Sequence, residues 1–148
     1  MEEIKIRTAE IKDVEQLQIL NEQLGYTVSV EYLSNSLVEL LQNKDYEILV
    51  AEQTVTGLLA GYLFAYIKRS IMEECTYEAL GLIVREEYRG FNIGVKLLSE
   101  LERIALSKNI HYIYLRSNVK RDKAHKFYLR EGYSIVKSQH AFLKKIDI

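Results

Sequence analysis

Two periodicities take turns along the chain. Residues 4–7, Ile-Lys-Ile-Arg, alternate apolar and polar with a period of two, which predicts a strand. After Asp13 the apolar residues Val14, Leu17, Leu20 and Leu24 recur at spacings of three and four, one face of a helix that Gly25 stops. Ser29 is placed to cap a second helix with Leu33, Leu37, Leu40 and Leu41 on its inner face. Residues 46–51 return to strand character, residues 53–57 read as a hairpin turn, and residues 58–68 form a long apolar run, as expected at the centre of a sheet. Gly61 inside that run signals a bulge or a close approach. Residues 69–74 are a polar connection and residues 76–84 the next strand. A third helical pattern follows: Val95, Leu98, Leu101 and Ala105 share one side with Leu97 and Ile104, Lys96, Glu100, Glu102 and Arg103 face outward, and Asn109 ends it. Residues 112–115 are rich in strand formers. A helix is predicted from about Asp122 to Arg130, closed by Gly132. Residues 133–136 and 140–144 read as a final hairpin.

The junction between residues 78–84 and the helix near Ile93 is the most informative stretch. It is strand, glycine-bearing polar turn, helix. Such a turn delivers unpaired N–H groups to the positive end of a helix dipole, a place suited to phosphate. On its own the signal is weak, since short glycine-containing turns between strand and helix are common connectors.

Composition narrows the function classes. A chain of 148 residues fits one domain, taken here as 1–148, with a real core. The net charge of −1 gives no electrostatic support for binding nucleic acid. No secretory segment follows the first residues, and the longest apolar run is too short to cross a bilayer, so no membrane is expected and the cytoplasm is the default location. Cys75 is the only cysteine, which excludes an intramolecular disulfide. His111, His125 and His140 lack ligand spacing, so no metal is expected. There is no Gly-x-Ser-x-Gly and no Gly-x-x-x-x-Gly-Lys-Ser/Thr, which argues against an α/β-hydrolase and a P-loop NTPase.

Two motifs carry a resemblance. Residues 89–94, Arg-Gly-Phe-Asn-Ile-Gly, resemble the Arg/Gln-x-x-Gly-x-Gly/Ala loop of the GNAT superfamily of N-acetyltransferases. Residues 84–98 resemble the family's Val-x-x-x-x-Arg-Gly-x-Gly-Ile-Gly-x-x-Leu-Leu signature. Asn92 stands where the middle glycine is usual and Glu86 where proline is common. Asn enters the left-handed region at modest cost, so it can follow the same backbone path. Residues 118–133 contain Asn118 and then Ala-His-Lys-Phe-Tyr-Leu-Arg-Glu-Gly-Tyr, similar to the second family signature, in the branch with Ala-His-x-Phe-Tyr. Both motifs occur in the right order, which is far more specific than either alone.

The resemblance implies an α/β (α+β) fold of the GNAT acyl-CoA N-acyltransferase type: a central mixed, mostly antiparallel twisted sheet of about seven strands flanked by about four helices. It implies acetyl-CoA as co-substrate, no metal, and transfer of acetyl to a primary amine of a small molecule by direct attack on the thioester. The coenzyme A contacts it implies are Leu82, Ile83 and Val84 on the strand, Arg89, Gly90, Phe91, Asn92, Ile93, Gly94 and Val95 in the turn, and Asn118, Phe127 and Tyr128 downstream. Tyr128 is the expected general acid for the leaving thiolate, because a thiol titrates near ~8.5 and a phenol near ~10. The bland alternative for Tyr128 is a core tyrosine, and for Asn118 a strand-end cap. Many relatives carry a glutamate on this strand where Leu80 stands. Glu78, two residues back, would share its face in a regular strand and is the expected base, against the alternative of an edge-exposed glutamate. In the family the first two helices wall the acceptor site, which makes Glu22, Gln23 and Tyr26 expected lining residues or ordinary surface ones. The resemblance also leaves open a homodimer through the late strands. Two other functions stay open: a protein N-terminal or lysine acetyltransferase, and a non-catalytic acyl-CoA-binding regulatory module.

Overall fold

The computed structural model describes residues 3–117 and 120–147. The chain divides into two compact units, residues 1–115 and 116–148. The first is a five-stranded sheet with helices on both faces. Its strands are β1 (Ile4–Thr8), β2 (Tyr46–Gln53), β3 (Leu59–Lys68), β4 (Thr76–Val84) and β5 (Ile113–Leu115), and its helices are α1 (Val14–Gln23), α2 (Val30–Gln42) and α3 (Ile93–Ser107). The strands lie in sequence order, antiparallel from β1 to β4, and β5 joins β4 in parallel after the α3 crossover.

Each helix sits where its apolar stripe can be buried. Leu17 and Leu20 of α1 and Leu37 of α2 pack on Ile48, Val50, Leu59 and Ile83. Leu97, Leu98, Leu101 and Ala105 of α3 are buried as their spacing predicts. Ser29 caps α2 by accepting the N–H of Tyr32 at 3.0 Å. Asn109 takes the left-handed conformation just past α3. Gln53 organises the β2–β3 turn, its side-chain oxygen accepting from the N–H and hydroxyl of Thr56 at 2.7 and 2.6 Å. Arg7 on β1 holds the start of α1 through a two-pronged contact with buried Asp13 at 2.8 and 2.9 Å, and also donates to Glu52.

Gly61 meets both readings given to it. The β2–β3 ladder slips beside it, and a β-carbon there would lie 2.6 Å from the Ile83 carbonyl oxygen and 3.3 Å from the Ile93 side chain. Only a residue without a side chain lets β3, β4 and the first residue of α3 approach this closely.

The second unit contains α4 (Asp122–Arg130), closed by Gly132. The expected hairpin over residues 133–136 and 140–144 is not formed among the described residues, so the sheet has five strands rather than about seven. Ile135, Val136, Phe142 and Leu143 are all largely exposed. An isolated two-stranded hairpin without a buried apolar face is marginal at best, whatever its residue pattern.

Candidate active site

Main-chain polarity along β4 is decided by one extra residue. Tyr77 donates its N–H towards β5, to the Tyr112 oxygen at 3.0 Å. Arg85, just past the strand, donates towards β3, to the Ala60 oxygen at 2.7 Å. Eight residues apart, the two would point the same way in an unbroken strand. They do not, because the ladder slips: Phe64 pairs with Gly81 and Ala65 with Ala79, which leaves Leu80 as a bulge. Past that bulge Gly81, Ile83 and Arg85 turn their main chain to β3, and Leu82 and Val84 turn theirs to the opposite edge. β5 pairs only with Tyr77, Glu78 and Ala79. Among the described residues no strand therefore takes up the groups of Leu82 and Val84. Ile83 is different: its main chain faces β3 and its side chain is in the core.

This open edge runs into the turn. A single 3-10 turn, Glu86–Tyr88, leads to Gly90 and Asn92, both at positive φ, and then to α3. Asn92, at φ 63 and ψ 23, makes no side-chain cap bond. Its main-chain oxygen accepts the first helical bond, from Lys96 at 3.0 Å, so the N–H groups of Ile93, Gly94 and Val95 precede the helical ladder. Those of Arg89 and Phe91 turn inward to Glu86 and Tyr88, both at 3.3 Å. Where α2 satisfies its first turn with a serine, α3 presents bare amides with no acidic residue in its first turn. That arrangement fits a diphosphate. Phe91 and Arg89 project outward, exposed, at the rim of the turn.

Glu78 is buried, 3% exposed, and accepts the Tyr66 hydroxyl at 2.9 Å. Leu80 is 51% exposed. Because the bulge falls between Glu78 and Gly81, a spacing of two does not by itself place Glu78 and Leu80 on one face. Tyr66, stacked on Tyr46, gives the carboxylate an aromatic flank, and Glu78 is in register with Tyr114 on β5.

The end of α1 approaches the same region. Glu22, Gln23 and Tyr26 are exposed, and the Gln23 side-chain oxygen accepts the N–H of Glu86 at 3.0 Å. Asn21 is buried and accepts the hydroxyl of Tyr62. Burial, helped by nearby Tyr26, pushes Tyr62 up to about 12, so it stays a donor. Sequence reading found neither the Leu80 bulge nor the Gln23 and Asn21 bonds. Gly61 was the one signal that the sheet is irregular here.

In the second unit, the Tyr128 ring meets Phe127 and Tyr133 edge-on, with centroids at 5.4 and 6.2 Å. Burial raises the phenol above its ordinary value against the opposing effect of Arg121, so it is protonated at neutral pH. Asn118 lies outside the described residues.

A five-stranded mixed sheet with an open, bulged strand feeding a bare helix start offers a free edge for an extended ligand and amides for its phosphates. Residues 14–133 match the Acetyltransferase (GNAT) family, and the chain belongs to it. It is an acetyl-CoA-dependent N-acetyltransferase. It is 28% identical over 116 residues to an aminoalkylphosphonate N-acetyltransferase of Salmonella typhimurium, covering 78% of this chain and 72% of the relative. Its fold is similar to that of an aminoglycoside N-acetyltransferase solved with CoA (TM-score 0.86, 15% identity, 99% of this chain and 97% of the other). It is also similar to glucosamine-6-phosphate N-acetyltransferase of Arabidopsis thaliana (TM-score 0.82, 24% identity, 97% and 100%). Among the described residues no helix is long and apolar enough to cross a membrane.

Proposed function

We propose that this enzyme acetylates a primary amine of a small molecule, with residues 1–148 acting as one cytoplasmic catalytic domain. The observation that carries the proposal is the open edge of β4 ending in the uncapped start of α3. The amides of Gly90, Asn92, Ile93, Gly94 and Val95 hold the coenzyme A diphosphate. The pantetheine arm runs back along the free edge, so Val84 pairs with the arm and Leu82, farther from the diphosphate, donates to the thioester oxygen. That oxygen gains charge as the amine attacks, and a fixed N–H stabilises it without reorganisation.

The acceptor must be neutral to attack, and an alkyl amine titrates near ~10. Glu78 takes its proton, directly or through water. The buried carboxylate is oriented by Tyr66, which suits a base. Tyr128 gives the leaving thiolate a proton, supported by its place in the second motif and by a phenol that burial keeps protonated. Glu22 and Tyr26 line the acceptor side. The named activities of the relatives, on aminoalkylphosphonate, aminoglycoside and glucosamine-6-phosphate, favour a small polar amine over a protein target.

Two measurements test the reading. Calorimetry with coenzyme A should show binding, with amide hydrogen exchange slowed across residues 90–95. Thiol release from acetyl-CoA over a panel of aminoalkylphosphonates, amino sugars and peptides should favour the small amines. Preference for peptides would overturn the acceptor class, and protection elsewhere would overturn the cofactor site.

A further inference from the structure

The 3-10 turn that leads into the diphosphate loop begins at Glu86. The N–H of the first residue of such a turn has no partner inside it. Proline is favoured at that position because it has no N–H to satisfy, and the preceding residue must then be extended. Arg85 is extended here, at φ −56 and ψ 136, yet the chain places a glutamate next and leaves a donor exposed at the mouth of the turn. The donor is taken from 63 residues away, by the side-chain oxygen of Gln23 at 3.0 Å.

Gln23 is the last residue of α1, and the helix end that carries it is itself pinned. Two residues earlier, buried Asn21 accepts the Tyr62 hydroxyl, and Tyr62 is in register with Ile83 on β4. From the β3 side the same turn is held by Arg85, whose N–H reaches the Ala60 oxygen at 2.7 Å and whose Nε reaches the Leu59 oxygen at 2.8 Å. The turn is thus gripped from β3 by Arg85 and from α1 by Gln23. Residues 90–95 follow directly on it, so its tilt sets the direction of their amides.

We propose that Gln23 is a positioning residue for the diphosphate turn rather than an acceptor contact. Its side-chain carbonyl replaces the rigidity that a proline at position 86 would give. It acts through the main chain of Glu86 and touches neither substrate. The proposal rests on the diphosphate reading above.

A double-variant cycle tests it on the full chain, using Gln23→Ala, Glu86→Pro and the pair. Coenzyme A affinity is read by calorimetry, steady-state constants by thiol release, and folding by thermal melting. Gln23→Ala is expected to weaken coenzyme A binding and raise the KM for acetyl-CoA by about 3- to 10-fold, the range of one neutral hydrogen bond. The effect should fall on that KM rather than on kcat or the melting temperature. With proline at 86 there is no donor left, so adding Gln23→Ala should weaken binding by less than twofold more. A lower melting temperature with unchanged coenzyme A affinity would reduce Gln23 to a structural role and overturn the proposal. So would a rise confined to the acceptor KM, or losses that add in the double variant. If the wild-type protein itself fails to bind coenzyme A, the diphosphate reading falls with it; if wild type binds and Gln23→Ala binds equally, only the positioning role is lost.

Discussion

The two halves of β4 belong to one strand and pair differently. Residues 77–79 are laddered on both sides, and Tyr77, Glu78 and Ala79 are all buried. Among the described residues, residues 82–84 are laddered on one side only, with the main chain of Leu82 and Val84 turned to the free edge. One bulged residue, Leu80, separates a strand that holds the sheet together from a strand that is available to a ligand. The open half, Leu82-Ile83-Val84, is wholly apolar in sequence, and the one charged side chain, Glu78, lies in the paired half. A free edge was made by shifting the register by one position, without spending a polar side chain on it.

That contrast can be broken from several directions. Tyr128→Phe tests the proton donor proposed for the leaving thiolate. Turnover should fall by roughly 10²- to 10⁴-fold, with coenzyme A affinity little changed, as followed by thiol release and calorimetry. Wild-type turnover would assign the acid elsewhere.

A proline scan along β4 tests the polarity itself. Leu82→Pro deletes an N–H on the free edge, where proline is tolerated. It should fold and lose about 10²- to 10³-fold in kcat, as when one oxyanion donor is removed. Ala79→Pro deletes an N–H on the β5 side of the paired half. It should instead lower stability by about 1–3 kcal/mol in denaturant melts, through an unsatisfied ladder carbonyl. Equal behaviour of the two would mean the bulge does not divide the strand.

Glu78→Gln keeps the shape of the buried side chain, and an oxygen to accept from Tyr66, while removing the carboxylate proposed as the base. The acid limb of the pH–rate profile should disappear, with turnover down by about 10²-fold, the lower end of general-base effects. An unshifted profile would leave Glu78 as a structural carboxylate.

Gly61→Ala places a methyl against the Ile83 carbonyl. Stability should drop by about 1–3 kcal/mol, the usual cost of overpacking. Coenzyme A affinity should fall too, because Ile83 and Ile93 flank the free edge and the helix start. Loss of stability alone would uncouple Gly61 from the site.

The smallest expected effect lies away from β4. Asp13 is pushed up by burial, but the Arg7 hydrogen bonds outweigh this and hold it below its ordinary value. A lowered folded-state pKa contributes stability above the unfolded value, near ~3.9, that is lost as pH falls through the folded one. Acid titration of stability should therefore steepen below about pH 4 in wild type and flatten there in Asp13→Asn. Turnover per folded molecule should not depend on this pair.

Most of the elements were legible because their patterns are local. The stripes of α1, α2 and α3, the Ser29 cap, the Asn109 stop and the β2–β3 turn each depend on residues within a few positions of one another. The glycine turn and the Phe127-Tyr128 motif were legible for the same reason. The last hairpin was misread because strand-like residues over 133–136 and 140–144 form a strand only where there is a surface to bury them, and Ile135, Val136, Phe142 and Leu143 are exposed. The bond from Glu86 to Gln23 was not legible, because it joins a side chain to a main-chain N–H with no sequence signature.

What the sequence determined by itself is the family, the order of helices and strands up to β5, and the place of the glycine turn before α3, since each is set by short-range spacing. Only the tertiary structure decided that Leu80 is the extra residue, that Leu82 and Val84 face the free edge, that Glu78 is buried against Tyr66, and that Gln23 reaches Glu86. These depend on which residue of one strand stands opposite which residue of another, and a register is fixed by the packing of the whole sheet rather than by any stretch of it.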